Sequence, residues 1–177
     1  MNFKHAFASA ILLTATAGFL IGQMSPGAET SVDIGGKKIT IRYSAPSMRN
    51  RKIFGPGGVV SNDGTYPVWR AGANAATALH TDADLTIGSL KVPKGDYTIY
   101  VQVDPMPWQL IINKQTGQGG TEYHKDQDLG RVPMQMSKPA KPVETYKMTL
   151  AATGGNKGKL TVEWENVVSS VDFTARC

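Results

Sequence analysis

Two groups of residues have the types and spacing of a metal site. His80, Asp82 and Asp84 recur at every second position, which on a strand puts an imidazole and two carboxylates on one face. Glu122, His124, Asp126 and Asp128 repeat that spacing. Two imidazoles with carboxylates can hold a divalent cation with open positions, and such a cation can activate water for hydrolysis. The metal reading therefore rests on His80 and His124. The plainer reading of the same residues is a turn or strand edge at 81–84 and a polar loop at 122–128.

A second set could bind without reacting. Trp69 and Arg70 are neighbours, Asn74 follows closely, and Trp108 comes after Asp104-Pro105-Met106-Pro107. An indole beside a guanidinium can stack on a flat or sugar-like ligand, and guanidinium and amide groups can fix its orientation. The alternative is structural, with Arg70 bonded to loop carbonyls and the two indoles capping an open end of the fold. Trp164 has the spacing of a core residue. Tyr123, Asp128 and Arg131 form a third polar group. An acid and an arginine three residues apart can lock a loop onto a strand, or the arginine can take a phosphate or carboxylate.

Other chemistry is excluded. There is no GxSxG, Walker A, HExxH or GxGxxG pattern. The single cysteine, Cys177, rules out an intramolecular disulfide, a CxxC redox pair and a CxxCH haem site, and it reads as a free thiol. The formal net charge is +5 and falls to +4 if a leader carrying Lys4 is removed. That mild excess suits anionic envelope polymers and is too weak to argue nucleic-acid binding. Arg49, Arg51 and Lys52 read as a solvated loop.

These residues sit behind an N-terminal stretch of another character. Lys4 and His5 precede an uncharged run from Ala6 to Gly22 that contains Ile11, Leu12, Leu13, Phe19, Leu20 and Ile21. This is the order of a secretory leader, assigned to residues 1–24 with a cut at about 22–28. The alternative, an uncleaved membrane anchor, would be short of the about 20 apolar residues a span needs and contains Ser9, Thr14 and Thr16. The expected location is periplasmic or secreted, with membrane contact only through an uncleaved leader. Residues 25–177 then form one domain.

The elements that must position the candidate residues are strands. Ile39, Ile41 and Tyr43 alternate with polar residues, as do Tyr97, Ile99, Val101 and Val103, then Tyr146, Met148 and Leu150, then Leu160, Val162 and Trp164. Val167, Val171 and Phe173 share a face near the end. Gly35-Gly36 reads as a hairpin turn, and 154–158 separates two strands. No window after the leader has a 3.6-residue apolar period. One polar face per strand points to antiparallel sheets, and the whole to an all-β antiparallel sandwich, jelly-roll or Ig-like, of about eight to ten strands. Residues 44–67, 114–128 and 137–142 read as loops, the places where a β scaffold carries function.

Val68-Trp-Arg-Ala-Gly-Ala-Asn-Ala-Ala-Thr77 resembles the hallmark of a bacterial family described as domain of unknown function 2911. Tyr43-Ser-Ala-Pro46 followed by Arg51-Lys-Ile-Phe-Gly55, then Lys94-Gly95-Asp96-Tyr97, Trp108 to Asn113, Tyr123/Asp128/Arg131 and Leu160 to Trp164 agree with it in order. Lys94 stands where the family usually has alanine, and the loop after Asn113 lacks the aromatic often found there. The resemblance spans about residues 30–173. It implies an exported β-rich domain and points to Trp69, Arg70, Asn74 and Thr77 as family-like positions, without an activity; Thr77 and Asn113 join the ligand-binding candidates.

Three functions fit. A non-catalytic binding module for a carbohydrate, small polar ligand or peptide expects Trp69, Arg70 and Trp108 on one concave, open surface. An envelope interaction protein expects them buried as loop locks, with an apolar patch or free strand edge elsewhere. A metal-dependent hydrolase expects His80 and His124 to converge with carboxylates in a cleft. No cofactor other than that metal is implied.

Overall fold

The computed structural model describes residues 24–176. The expected leader, but for its last residue, and Cys177 lie outside the described residues. Among those described there are thirteen strands and one short 3-10 turn, Lys125–Gln127, and no α-helix.

Every strand pairing is antiparallel, and the strands form two sheets. One runs in the order β1 (Gly27–Ile34), β2 (Lys37–Ser44), β4 (Thr77–Thr81), β7 (Gly95–Gln102), β8 (Gln109–Asn113), β9 (Asp128–Pro133), with β3 (Val68–Trp69) on the far end of the β7 edge that also holds β4. The other runs β11 (Val143–Gly154), β12 (Lys157–Glu165), β13 (Val167–Arg176), β5 (Asp84–Ile87), β6 (Leu90–Val92), with β10 (Gln135–Ser137) beside β13. Ten of the strands have four or more residues; β3, β6 and β10 are shorter, which is why the count exceeds that expected.

The alternation in the sequence is the core. Ile39, Ile41, Leu79, Ile99, Leu110 and Ile112 face Leu85, Ile87, Leu150, Leu160, Val171 and Phe173 across the sandwich, all buried. Gly35 and Gly36 have φ of 59° and 74°, the left-handed geometry that a two-residue hairpin turn requires, and they join Ile34 to Lys37 in register. The edge of β11 is closed by side chains of the opposite sheet. Tyr43 OH accepts the Met148 N–H at 3.1 Å, and Thr30 Oγ1 accepts the Leu150 N–H at 3.0 Å. An edge whose amides are satisfied this way offers less to a pairing strand.

The rule of one polar face per strand fails at β7 and β8. Thr98 and Tyr100, on the outer face, are as buried as Ile99 and Val101. The loop after β8 folds back over them. Thr98 Oγ1 donates to Gln115 O (2.7 Å), Tyr100 OH donates to Glu122 O (2.6 Å), and Tyr100, Val68, Ile111 and Tyr123 make a second small apolar cluster.

Candidate binding site

The end of the sandwich formed by the C-terminus of β7, the N-termini of β4, β8, β11 and β13 and the C-terminus of β12 is built from aromatic residues. Trp69 arrives from β3, Trp108 from the residue before β8, Trp164 from β12 and Tyr146 from β11. Phe54, from the long loop after β2, lies at their centre, with ring centroids 5.6 Å from Trp69, 4.8 Å from Trp108 and 5.9 Å from Trp164. The loop is held there by two backbone bonds to the opposite sheet, Met48 N–H to Glu144 O (2.8 Å) and Tyr146 N–H to Pro46 O (2.8 Å), and by a side-chain bond from Ile53 N–H to the Glu165 carboxylate.

Trp69 and Trp108 are each 2% exposed, so neither is the open stacking platform expected of a binding module. The correction has a local cause. Residues 69–77 wind into a loop whose polar groups bond to its own carbonyls and to the chain around it. Trp69 Nε1 donates to Gly72 O (3.1 Å), Arg70 Nη1 to Asn74 O (3.2 Å), and the Thr77 hydroxyl lies 2.9 Å from both Arg70 O and Ala71 O. Asn74 Nδ2 reaches Ser25 O at 3.0 Å, and Arg70 Nη2 pairs with Asp63 at 2.8 Å. Gly120 packs so closely on this loop that a Cβ there would lie 2.1 Å from Asn74 O.

The indoles nevertheless line two separate cavities. Trp108 and Phe54 line the larger, of about 570 Å³, together with Tyr66, Val103, Asp104 and Met106. Met106 is 64% exposed and Tyr66 40%, and both lie on this cavity. Tyr66 OH donates to Asp104 Oδ2 at 2.8 Å, and that bond holds the phenol pKa above its ordinary value. Trp69, Trp164, Arg70, Asn74, Asp63 and Arg51 line the smaller, of about 290 Å³. Val60 borders both. Trp69, Arg70 and Asn74 therefore meet at one cavity, while Trp108 belongs to its neighbour.

Tyr123, Asp128 and Arg131 meet elsewhere, on the outer face of β8 and β9. Arg131 Nε and Nη2 donate to Asp128 Oδ2 (3.2 and 3.1 Å), Tyr123 OH donates to the same oxygen (2.6 Å), and Arg131 also bonds to Gln102 Oε1 and Tyr123 OH. Asn113 Nδ2 joins Asp128 Oδ1 (2.9 Å) to His124 O (3.0 Å). Burial, then the bond to Asp128, pushes the Tyr123 pKa well up. With Nε, Nη1 and Nη2 all held by protein, Arg131 locks the loop down onto the sheet.

His80 lies at the opposite end of β4. Its Nδ1 is 2.7 Å from Asp96 Oδ1 and its Nε2 3.0 Å from Asp82 Oδ1. The two carboxylates bracket the ring from opposite nitrogens and share no common point. They raise its pKa, Asp96 more than Asp82. Asp84 does not share its face: β4 ends at Thr81, and Asp84 opens β5 in the other sheet, where it accepts the Lys94 N–H at 2.8 Å. Glu122, His124 and Asp126 run through a loop and a 3-10 turn, and only Asp128 lies on a strand, as the first residue of β9, so their spacing puts them on no common face. Among the described residues no three His, Cys, Asp or Glu side chains are grouped to hold a metal ion.

The sequence reading missed Phe54, Tyr66, Asp104, Met106 and Arg51. For Phe54, Tyr66 and Met106 the available signal was large apolar residues inside proline- and glycine-rich loops, outside any strand period; Arg51 and Asp104 carried none.

The family model for a protein of unknown function, DUF2911, matches residues 25–173. The chain belongs to the DUF2911 family. No curated protein and no solved structure matches it. For this DUF2911 chain the family-like block at 68–77 is thus the loop that closes the aromatic end of the sandwich and borders the smaller cavity.

Proposed function

We propose that this DUF2911 chain is a non-catalytic binding module of the cell envelope, acting in the periplasm or outside the cell, and that its ligand enters the larger cavity. The observation that carries the reading is the position of Met106 and Tyr66, exposed apolar side chains on a cavity of about 570 Å³ whose inner wall is Trp108 and Phe54. Ligand sites are concave and mostly apolar, with a few polar groups that fix orientation. Here those groups are Asp104, the Tyr66 hydroxyl and Asn62. A carbohydrate, a small polar molecule or a short peptide fits such a wall.

The test is thermal unfolding of residues 24–177 against neutral oligosaccharides, peptides and cell-wall fragments. A ligand of the folded state raises stability by about 2.7 kcal/mol at a hundred times its dissociation constant. The reading expects a shift that Tyr66→Ala abolishes. A shift that survives both Tyr66→Ala and Met106→Ala moves the site elsewhere. Trp69 and Arg70 held as loop locks, with Met106 exposed, are what an envelope interaction protein expects, and no shift across the panel favours that reading, with a protein partner docking on Met106.

A further inference from the structure

We propose that the smaller cavity is a second site, built to take an oxyanion, the carboxylate or phosphate of a ligand. It does not depend on what the larger cavity binds.

The inference starts from Arg51. Its Nε donates to Met48 O (3.0 Å) and its Nη2 to Ser47 O (2.8 Å). Those two bonds occupy the side-on edge of the guanidinium. The end-on edge, Nη1 with the second N–H of Nη2, carries no bond to any other described residue. That pair of parallel donors is the fork that matches two oxygens of a carboxylate or phosphate. Both acceptors already bound are neutral carbonyls. Among the described residues the ion pairs include none to Arg51. Its charge is held in position without being neutralised.

The surroundings fit an anion. Arg70 lines the same cavity, and its charge is matched by Asp63, also on the wall. The cavity thus carries two guanidinium groups against one carboxylate. Its inner wall is the Trp69–Trp164 pair, stacked with ring planes 20° apart. Arg51 itself is exposed, so the pair it would make is partly screened by water, and the indole wall bounds the site on one side. The charged group must be small, because the space is about 290 Å³. The oxyanion role weighed for Arg131 thus passes to Arg51, whose fork is free where that of Arg131 is taken.

The test is calorimetric titration of residues 24–177 with sodium phosphate, sodium glucuronate and sodium acetate at constant ionic strength. Binding is expected for at least one. A preference for phosphate points to a phosphorylated ligand, and a preference for glucuronate or acetate to a carboxylate. Arg51→Ala should weaken binding by about tenfold or more, the loss of a charge-assisted pair. Arg51→Lys, which keeps the charge and loses the fork, should recover only part of it. Lys52→Ala is the control, because Lys52 is the neighbouring cation and its Nζ is bonded to Pro56 O (2.8 Å) away from this wall. Circular dichroism confirms that each variant is folded. The inference is overturned if no anion binds, or if Lys52→Ala weakens binding as much as Arg51→Ala. A neutral ligand that depends on Tyr66 while no anion binds leaves the larger site standing and removes this one.

Discussion

Trp69 and Trp164 stack across the sandwich, one indole from each sheet, with centroids 5.9 Å apart and planes inclined by 20°. Each ring's N–H is bonded to a backbone carbonyl, Gly72 O for Trp69 and Glu144 O for Trp164, both at 3.1 Å. The pair therefore joins the 69–77 loop to β11 and β12 with no unpaired donor. Removing Trp69 opens a void beneath Phe54 and Tyr146 and frees the loop carbonyl. Trp69→Ala should cost about 3–5 kcal/mol in urea unfolding, and Trp69→Phe clearly less. A loss below about 1 kcal/mol for Trp69→Ala would mean that the end of the sandwich is held by the backbone bonds of the 45–53 loop instead.

Tyr146 makes the opposite case. Its ring is buried in the same cluster, 5.0 Å from Trp69 and 5.5 Å from Tyr43, yet its hydroxyl has no hydrogen-bond partner among the described residues. Burial raises its pKa well above the ordinary value. A buried hydroxyl without a partner costs about 1–3 kcal/mol of desolvation. Tyr146→Phe keeps the ring and removes the cost, so stability should rise or stay level. A drop of more than about 1 kcal/mol would show that the hydroxyl is bonded in solution.

Strands with large residues on one face were legible because burial and alternation coincide. Ile39 and Ile41 in β2, and Leu160, Val162 and Trp164 in β12, are buried at every second position. Strand β4 was not proposed from its period, because its inward residues are Thr77, Leu79 and Thr81, and two threonines do not announce a core face. The second burial of β7 was also hidden, since Thr98 and Tyr100 are covered by loop residues 17 and 22 positions later in the chain. For the site, the resemblance pointed to Trp69, Arg70, Asn74 and Thr77 as family-like positions, and the structure brings them together in one hydrogen-bonded loop. What the unit does could not be read, because Phe54 and Asp63 come from a loop with no period, and their approach decides which side chains are walls and which are locks.

The imidazole of His80 should give the protein a pH dependence of defined sign. Its bonds to Asp96 and Asp82 raise its pKa above 6.5 in the folded state, so its contribution is complete below that value and is lost as pH rises through the folded pKa. The bond to His80 is the main cause that lowers the Asp82 pKa below 3.8, so that contribution is present above 3.8 and is lost as pH falls through the folded value. The cluster stabilises the fold most between the two. The melting temperature of His80→Gln should fall below that of the native chain at about pH 5.5 and match it at about pH 9. A constant difference across that range would mean that His80 contributes by packing alone.

The Asp128–Arg131 lock makes a claim about local rather than global order. Arg131 holds Asp128, Tyr123 and Gln102 together, and Asn113 carries the connection on to His124 O, so the 114–127 loop is fastened at its end as well as over Tyr100. Arg131→Met leaves the Asp128 carboxylate, which is 10% exposed, with only the Tyr123 and Asn113 donors. Global stability should fall by about 1–3 kcal/mol. The larger effect should be on hydrogen exchange, because a loop opens when the bonds that cover it are cut, while the strands beneath keep their own ladder. Amides of residues 114–127 should lose protection, and those of β7 and β8 should keep most of theirs. Arg131→Lys should protect the loop only in part, since one ammonium cannot reach Asp128, Tyr123 and Gln102 at once. Unchanged exchange in the loop would assign its closure to the Tyr100–Glu122 and Thr98–Gln115 bonds alone.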